Sequence, residues 1–249
     1  MNAARTDRKL KTTERIIVAL DVDTRTTARK LVDELGDSVG AFKIGLQLFT
    51  AAGPEFVREM VEKGHRVFLD LKLHDIPNTV VKAAIEAARL GVWMFNVHAL
   101  GGGEMMRRTA AEVDEACTRG KLTRPKIIAV TVLTSSNANE LREIGIEGDV
   151  KEIVVSLAQL AAKCGLDGVV ASAREAEAVK RSIASETFLV VTPGIRLLSA
   201  TIDDQKRVMT AARAVKSGSD YLVIGRPITE AKDKQAAVNA IVREIEAAY

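Results

Sequence analysis

The chain has 249 residues, 47% of them hydrophobic and 28% charged, with a formal net charge of +3. This composition supports a packed core under a charged surface, and so small a charge excess argues against nucleic acid or an anionic membrane as a partner. No apolar run approaches the ~20 residues that span a bilayer, and Cys117 and Cys164 have neither metal-ligand spacing nor a disulfide framework, as is typical of reduced thiols in a cytoplasmic protein.

The N-terminal segment, residues 1–14, is polar and reads MNAARTDRKLKTTE. We predict a flexible tail there, because the segment carries charges but almost no apolar residues to bury. For the same reason we do not expect a secretory signal. No linker or composition break follows, so residues 15–249 are predicted to form a single domain.

Eight short apolar runs, rich in β-branched residues, follow the tail and predict eight strands. Segments with helical spacing separate them, for example Val80–Leu90 and Glu152–Cys164, and Gly91 and Gly165 follow where a helix end favours a left-handed residue. Eight units of roughly 31 residues fit a single (β/α)8 TIM barrel. A doubly wound open sheet remains the alternative, because alternation does not prove closure. The predicted strands are Arg15–Val22, Ala41–Leu46, Arg66–Leu73, Trp93–Ala99, Lys126–Leu133, Gly168–Ser172, Phe188–Ile195 and Tyr221–Ile228.

Polar residues stand at the carboxyl ends of these strands, where a barrel of this type places its chemistry. In the third run, FLDLKLHDIPNTV, strand alternation puts Asp70, Lys72 and His74 on one face and leucines on the other. Charges crowded at a buried strand end are costly unless they are paired or functional. Together these ends predict an active site; the polar residues at the other ends are Asp21, Lys43, His98, Thr131, Thr134, Ser172 and Arg226.

Each candidate also has an inert interpretation. Asp70 and Lys72 are also compatible with a structural ion pair at a strand end. Asp75 is also compatible with the cap of a helix that begins at Pro77. Lys43 interrupts an apolar strand, where an unpaired ammonium is costly, unless it reaches solvent at the rim.

The loops after the seventh and eighth strands carry Pro193-Gly194-Ile195-Arg196 and Gly225-Arg226. In such barrels these loops commonly bind phosphate. Glycine lets backbone N–H groups approach an anion, and arginine adds a bidentate donor. The alternative for both glycines is tight turn geometry.

Several motifs, in order, resemble the orotidine 5′-phosphate decarboxylase family over nearly all of the chain after the tail. They are ALD ending at Asp21, FKIG around Lys43, DLKLHDIPNT (Asp70–Thr79), VTVLTS (Val130–Ser135), TPGIR (Thr192–Arg196) and IGRPI (Ile224–Ile228). The resemblance implies a cytoplasmic homodimeric barrel that converts orotidine 5′-phosphate to UMP and carbon dioxide, the last step of de novo pyrimidine biosynthesis, without metal or organic cofactor.

The resemblance also implies residue roles. Lys72 would protonate the C6 carbanion, Asp70 would lie against the departing carboxylate, and Lys43 and Asp75 would complete an alternating charge array. Asp75 and Thr79 would reach the site of the partner subunit. Asp21 and Lys43 would hold the ribose hydroxyls, and the loop of Thr134 and Ser135 the pyrimidine edge. The other substrate-binding residues implied are Pro193, Arg196, Gln205, Gly225 and Arg226, the last four on the phosphate side.

Two other functions were weighed against this one. Related sugar-phosphate decarboxylases and aldolases share the barrel and an Asp-x-Lys-x-x-Asp core, but use magnesium and have a carboxylate where this chain has Lys43. A silent barrel that binds a phosphorylated ligand as a sensor is the second. The intact charges of Asp70, Lys72 and Asp75 argue against the sensor, because an idle site has no need of a costly charge cluster.

Overall fold

The structure is a computed structural model that describes residues 10–134, 136–196 and 209–248. Within them the eight strands form a closed parallel barrel in chain order, with β1 also paired to β8. The predicted barrel is confirmed, and the open-sheet alternative is wrong because this last pairing closes the sheet. The strands are β1 (Ile16–Ala19), β2 (Ala41–Gly45), β3 (Val67–Leu73), β4 (Met94–His98), β5 (Lys126–Val130), β6 (Gly168–Val170), β7 (Leu189–Pro193) and β8 (Tyr221–Ile224).

Helices lie between successive strands, as the spacing of apolar residues predicts. Gly91 and Gly165 follow two of them with φ of +78° and +81°, the left-handed geometry expected at those helix ends. None of the described helices is both long and apolar enough to cross a membrane. The helical segments are α1 (Arg25–Leu35), α2 (Leu46–Glu62), α3 (Pro77–Arg89), α4 (Gly102–Gly120), α5 (Ala138–Glu143), α6 (Val150–Lys163), α7 (Ala173–Ser182), α8 (Ala211–Lys216), α9 (Arg226–Thr229) and α10 (Lys234–Glu246).

Several strands end earlier than predicted. β1 ends at Ala19 rather than Val22, and β5 ends at Val130 rather than Leu133. The next residues, Leu20 and Thr131, still donate backbone hydrogen bonds to the neighbouring strands, at Lys43 and Val170, but are no longer part of the regular strands. The predicted tail falls largely on residues 1–9, outside the described residues, and stays a prediction; Thr13–Arg15 form a short 3-10 helix before β1.

The core has two layers because strand side chains alternate between the two faces of the sheet. The larger layer lies between the outside of the barrel and the helices. The smaller one fills the barrel and includes Ile17, Phe68, Met94, Ile128 and Tyr221. This inner layer fills the barrel below the carboxyl ends of the strands. The inward-facing residues that come next along each strand therefore form the floor of a site at that end.

Glu59 of α2 joins the first two helices through ion pairs. Its carboxylate accepts hydrogen bonds from Arg25 and from Arg29, at 2.7 and 2.6 Å for the latter. These bonds, foremost the one from Arg29, hold the pKa of Glu59 at about 2, well below its ordinary value of 4.5.

We expect Glu59→Gln to lower the free energy of unfolding by about 1 kcal/mol at neutral pH, because a partly exposed ion-pair network contributes modestly. A carboxylate with a lowered pKa stabilises the fold above its unfolded pKa, so the wild-type advantage should disappear as the pH falls from 4.5 towards 2. Urea unfolding of both chains across this range, with Glu62→Gln on the same helix as control, measures it. An advantage that persists in acid would contradict the prediction.

Candidate active site

A cavity of about 360 Å³ opens at the carboxyl end of the barrel. Apolar side chains of the inner face, including Phe68, Val130 and Val223, form part of its wall. The structure brings most of the predicted site residues to this one cavity. Those that line it are Asp21, Lys43, Asp70, Lys72, Thr134, Pro193, Arg196, Gly225 and Arg226. Ser135 and Gln205 lie outside the described residues.

Four charged side chains form an alternating row across the floor of the cavity. The Lys43 ammonium lies 3.0 Å from Asp21 Oδ1 and 3.3 Å from Asp70 Oδ2. Lys72 Nζ donates to the other oxygen of Asp70 at 2.8 Å. The Lys43 and Asp70 side chains are nearly buried, whereas that of Lys72 is 40% exposed. The inert interpretation of Lys43 as a solvent-reaching lysine is therefore wrong.

Strand register explains why these charges meet. Ala19 of β1 pairs with Lys43 of β2, and Gly45 of β2 pairs with Asp70 of β3. Side chains two residues apart on one strand share a face, so the charges project inward in successive layers above the apolar filling. Gly45 leaves room between them, because a Cβ there would lie 3.1 Å from Lys43 Nζ.

The backbone at Lys72 departs from a regular strand. The pairing of β3 with β4 runs from Leu69 to Phe95 and resumes at Leu73 with Val97, so a bulge lies between. Lys72 has φ of +52°, a left-handed conformation that costs a non-glycine residue about 1 kcal/mol or more. Uncommon backbone of this kind concentrates at functional sites.

The strand alternation that puts His74 on one face with Asp70 and Lys72 does not extend to it. β3 ends before it, and its ring stacks on His98 with ring centroids 5.4 Å apart, outside the cavity lining. Burial, followed by the charges of His74 and Lys72, lowers the pKa of His98.

Two further residues at strand ends serve the fold instead of the site. The Thr131 hydroxyl donates to the Val170 carbonyl, and the Ser172 side chain caps α7.

Asn96 is a site residue that sequence reasoning missed. It is fully buried, and its amide contacts both Asp70 and the backbone of Lys72. The signal was present in the sequence, because a polar side chain two residues after Met94 in an apolar strand must face inward with it.

Asp75 and Thr79 do not line the cavity of their own chain. Both are exposed at the start of α3. Asp75 accepts a hydrogen bond from its neighbour Ile76, at 2.6 Å, and the capping position of α3 is Ile76 itself, with no side-chain cap. The inert interpretation of Asp75 as the cap of this helix is therefore wrong.

Large apolar side chains are exposed beside the cavity. Leu46, Ile76, Leu100 and Leu133 follow β2, β3, β4 and β5, which are neighbours in the barrel, and Ile76 is 66% exposed. We call these four residues the rim patch. Exposed apolar side chains grouped after neighbouring strands are typical of an interaction surface.

The glycines of the last two loops differ. Gly194 has φ of +81°, a left-handed conformation that favours glycine, so the turn geometry alone explains a glycine at this position. Gly225 has φ of −105° and precedes Arg226, which begins α9. Residues of both loops line the cavity and follow β7 and β8, whereas Lys72 belongs to β3.

The family model described as Orotidine 5′-phosphate decarboxylase / HUMPS family matches residues 14–241. The chain belongs to this family. The resemblance recognised from the motifs is thereby confirmed. Among curated relatives, orotidine 5′-phosphate decarboxylase of Geobacter sulfurreducens is 53% identical over 232 residues, covering 93% of this chain and 96% of the relative. That of Legionella pneumophila is 51% identical over 233 residues, covering 94% and 100%.

Solved structures of the family resemble the whole barrel. The orotidine 5′-phosphate decarboxylase structure from Lactobacillus acidophilus has a TM-score of 0.81 and 39% identity, covering 92% of this chain and 98% of that one. The structure from Pyrococcus horikoshii has a TM-score of 0.73 and 26% identity, covering 93% and 99%.

Proposed function

We infer that this chain decarboxylates orotidine 5′-phosphate to UMP in pyrimidine biosynthesis. The observation that carries the inference is the row Asp21–Lys43–Asp70–Lys72 on the floor of the cavity, in a chain of this family. The row offers a proton and fixed positive charge where a carbanion would form.

The chemistry explains why such a row is needed. When the bond between C6 and the carboxylate breaks, carbon dioxide leaves and the electron pair stays on C6. Without an organic electron sink, fixed positive charge must stand where the negative charge develops. An ammonium ~4 Å away contributes roughly 4 kcal/mol at an effective dielectric of 20. The Lys72 ammonium then gives its proton to C6, which completes UMP, and solvent reprotonates the amine.

Asp70 orients Lys72, because its carboxylate accepts a hydrogen bond from the Lys72 ammonium and is itself held by the Lys43 ammonium at 3.3 Å. We propose that it also lies against the substrate carboxylate. Lys43 would serve twice, by holding Asp70 and by donating to the ribose hydroxyls beside Asp21.

The remaining cavity residues would bind the parts of the substrate that do not react. We propose Thr134 and Ser135 for the pyrimidine edge. Binding energy from a phosphate held far from C6 can support catalysis at C6. The residues proposed for the loops on the phosphate side are Pro193, Arg196, Gln205, Gly225 and Arg226.

We further propose a homodimer in which Asp75 and Thr79 complete the site of the partner subunit. Both residues are exposed and away from the cavity of their own chain. The rim patch lies next to them, because Ile76 directly follows Asp75. A second copy that covers the rim patch would bury its apolar surface. It would also bring Asp75 and Thr79 of each chain to the site of the other.

A cytoplasmic location is proposed from the cysteines. Cys117 and Cys164 are both free and buried. Burial raises the pKa of each thiol, which makes them structural rather than reactive. Free thiols of this kind are usual in a reducing compartment.

The direct test is to incubate the purified chain with orotidine 5′-phosphate and follow the pyrimidine ultraviolet band, with identification of UMP and carbon dioxide. The proposed function requires stoichiometric formation of both products. Tight binding of orotidine 5′-phosphate without turnover would favour the silent sensor and contradict the proposal.

Activity is expected to survive chelation. The Lys43 ammonium lies between the carboxylates of Asp21 and Asp70, in the place a divalent cation would need. Turnover after dialysis against EDTA should therefore stay within about twofold of the untreated value, since no metal supplies the positive charge. A magnesium-dependent enzyme treated in parallel is the positive control. Loss of activity that magnesium restores would shift the assignment to the sugar-phosphate branch.

A further inference from the structure

Asn96 of β4 joins the two ends of the Asp70–Lys72 pair. Its Nδ2 donates to Asp70 Oδ1 at 2.7 Å, and its Oδ1 accepts from the backbone N–H of Lys72 at 2.8 Å. The side chain is 0% exposed. A buried amide thus has both of its polar atoms committed to the residues on which the proposed chemistry depends.

The bulge in β3 explains why this contact is needed. Asp70, Leu71 and Lys72 together face Asn96, so the ladder between β3 and β4 is interrupted. The N–H of Lys72 turns away from its ordinary backbone partner and requires another acceptor. The carbonyl oxygen of Asn96 supplies it and holds the left-handed backbone from which the Lys72 side chain starts.

The carboxylate of Asp70 is held in the same way. One oxygen receives Asn96 Nδ2 and Lys72 Nζ, and the other faces Lys43 Nζ at 3.3 Å. Both ammonium groups belong to flexible side chains, whereas the Asn96 amide is fixed within a buried strand. It is therefore the rigid donor that sets the plane of the carboxylate.

We propose that Asn96 is a positioning residue that fixes the backbone of Lys72 and the carboxylate of Asp70, so that the Lys72 ammonium stands at C6. The proposal rests on the proposed function of Lys72. Asn96 itself is not required to touch the substrate. Its removal should act on the chemical step, because displacement of a catalytic group by about 1 Å can cost 100-fold in rate.

The first test replaces Asn96 by an apolar residue of similar size. We expect Asn96→Leu to lower kcat by about 100-fold while KM stays within about threefold, since the groups proposed to bind ribose and phosphate belong to other strands. Thr109→Val is the matched control: Thr109 is equally buried, donates to Met105 within α4, and should change melting temperature but not kcat.

The second test uses Asn96→Asp, which keeps the shape and the acceptor for Lys72. The charged groups around the new carboxyl group are Asp70 and Lys72 on β3 and Lys43 on β2, while its register partner on β5 is Ile128. Burial beside Asp70 should raise the pKa of the new carboxyl group, and its protonated form can donate to Asp70 as the amide does. Relative to wild type, kcat should therefore recover as the pH falls from about 8 to about 6.

The outcomes separate the inference from the function on which it rests. Wild type without turnover would defeat the proposed function. With active wild type, kcat within about threefold for Asn96→Leu would overturn the positioning role alone. If kcat of Asn96→Asp is lowered equally at every pH, Asn96 serves folding only, and the positioning role is overturned as well. If Asn96→Leu fails to fold, the nearly isosteric Asn96→Asp decides.

Discussion

Replacing Lys72 by alanine should lower kcat for orotidine 5′-phosphate by about 10⁴-fold or more, because it removes both the proton and the positive charge. The fold should stay intact, since the Lys72 side chain is 40% exposed and begins from a backbone conformation that alanine tolerates no worse. The measurement is the single-turnover rate together with the melting temperature.

Lys63→Ala is the matched control for this prediction. Lys63 is a comparably exposed lysine that pairs with Glu59 on the helical side of the barrel. Its removal tests whether loss of any lysine charge affects turnover, and kcat should stay within about twofold. Turnover of Lys72→Ala within tenfold of wild type would rule out Lys72 as the proton donor.

The second large effect is the recovery of activity when two inactive variants form a heterodimer. If Asp75 enters the site of the partner, each site takes Lys72 from one chain and Asp75 from the other. A heterodimer of Lys72→Ala and Asp75→Asn then has one site with both lesions and one with neither. Random reassortment makes half of the dimers heterodimers, so activity should return to about a quarter of the wild-type value.

The subunits must be dissociated and reassociated for this experiment, and exchange proved with differently tagged chains. If Lys72 and Asp75 served a site within one chain, every site would carry one lesion. Proven exchange without recovered activity would place Asp75 outside the partner's site. Each variant mixed with itself provides the baseline, because it undergoes the same treatment without the possibility of an intact site.

The sequence predicted the barrel and the floor of the site because both depend on local pattern. Alternation and strand ends predicted Lys43 and Asp70 as site residues, and in the structure the Lys43 ammonium lies 3.3 Å from Asp70 Oδ2. The bulge at Lys72 was not predictable in this way, since it depends on how β3 pairs with β4. The kink of α2 at Gly53, with φ of +72° just before Pro54, is a further feature that no prediction from the sequence covered.

Asn96 was missed for a related reason. An amide in the middle of an apolar strand has no obvious partner until the neighbouring strand is in register. The roles proposed for Asp75 and Thr79 would depend on a second chain, which no pattern within one chain reveals.

The residues proposed for the chemistry and those proposed for the pyrimidine and the phosphate lie in two different halves of the barrel. Lys43, Asp70, Lys72 and Asn96 belong to β2–β4 and Asp21 comes two residues after β1, whereas Thr134, Arg196 and Arg226 follow β5, β7 and β8. Loops tolerate substitution better than paired strands. Directed evolution confined to the second half should therefore change which phosphorylated molecule is accepted while the proton donor stays in place. If the proposed roles hold, the selectivity and the reactivity of this site could be varied separately.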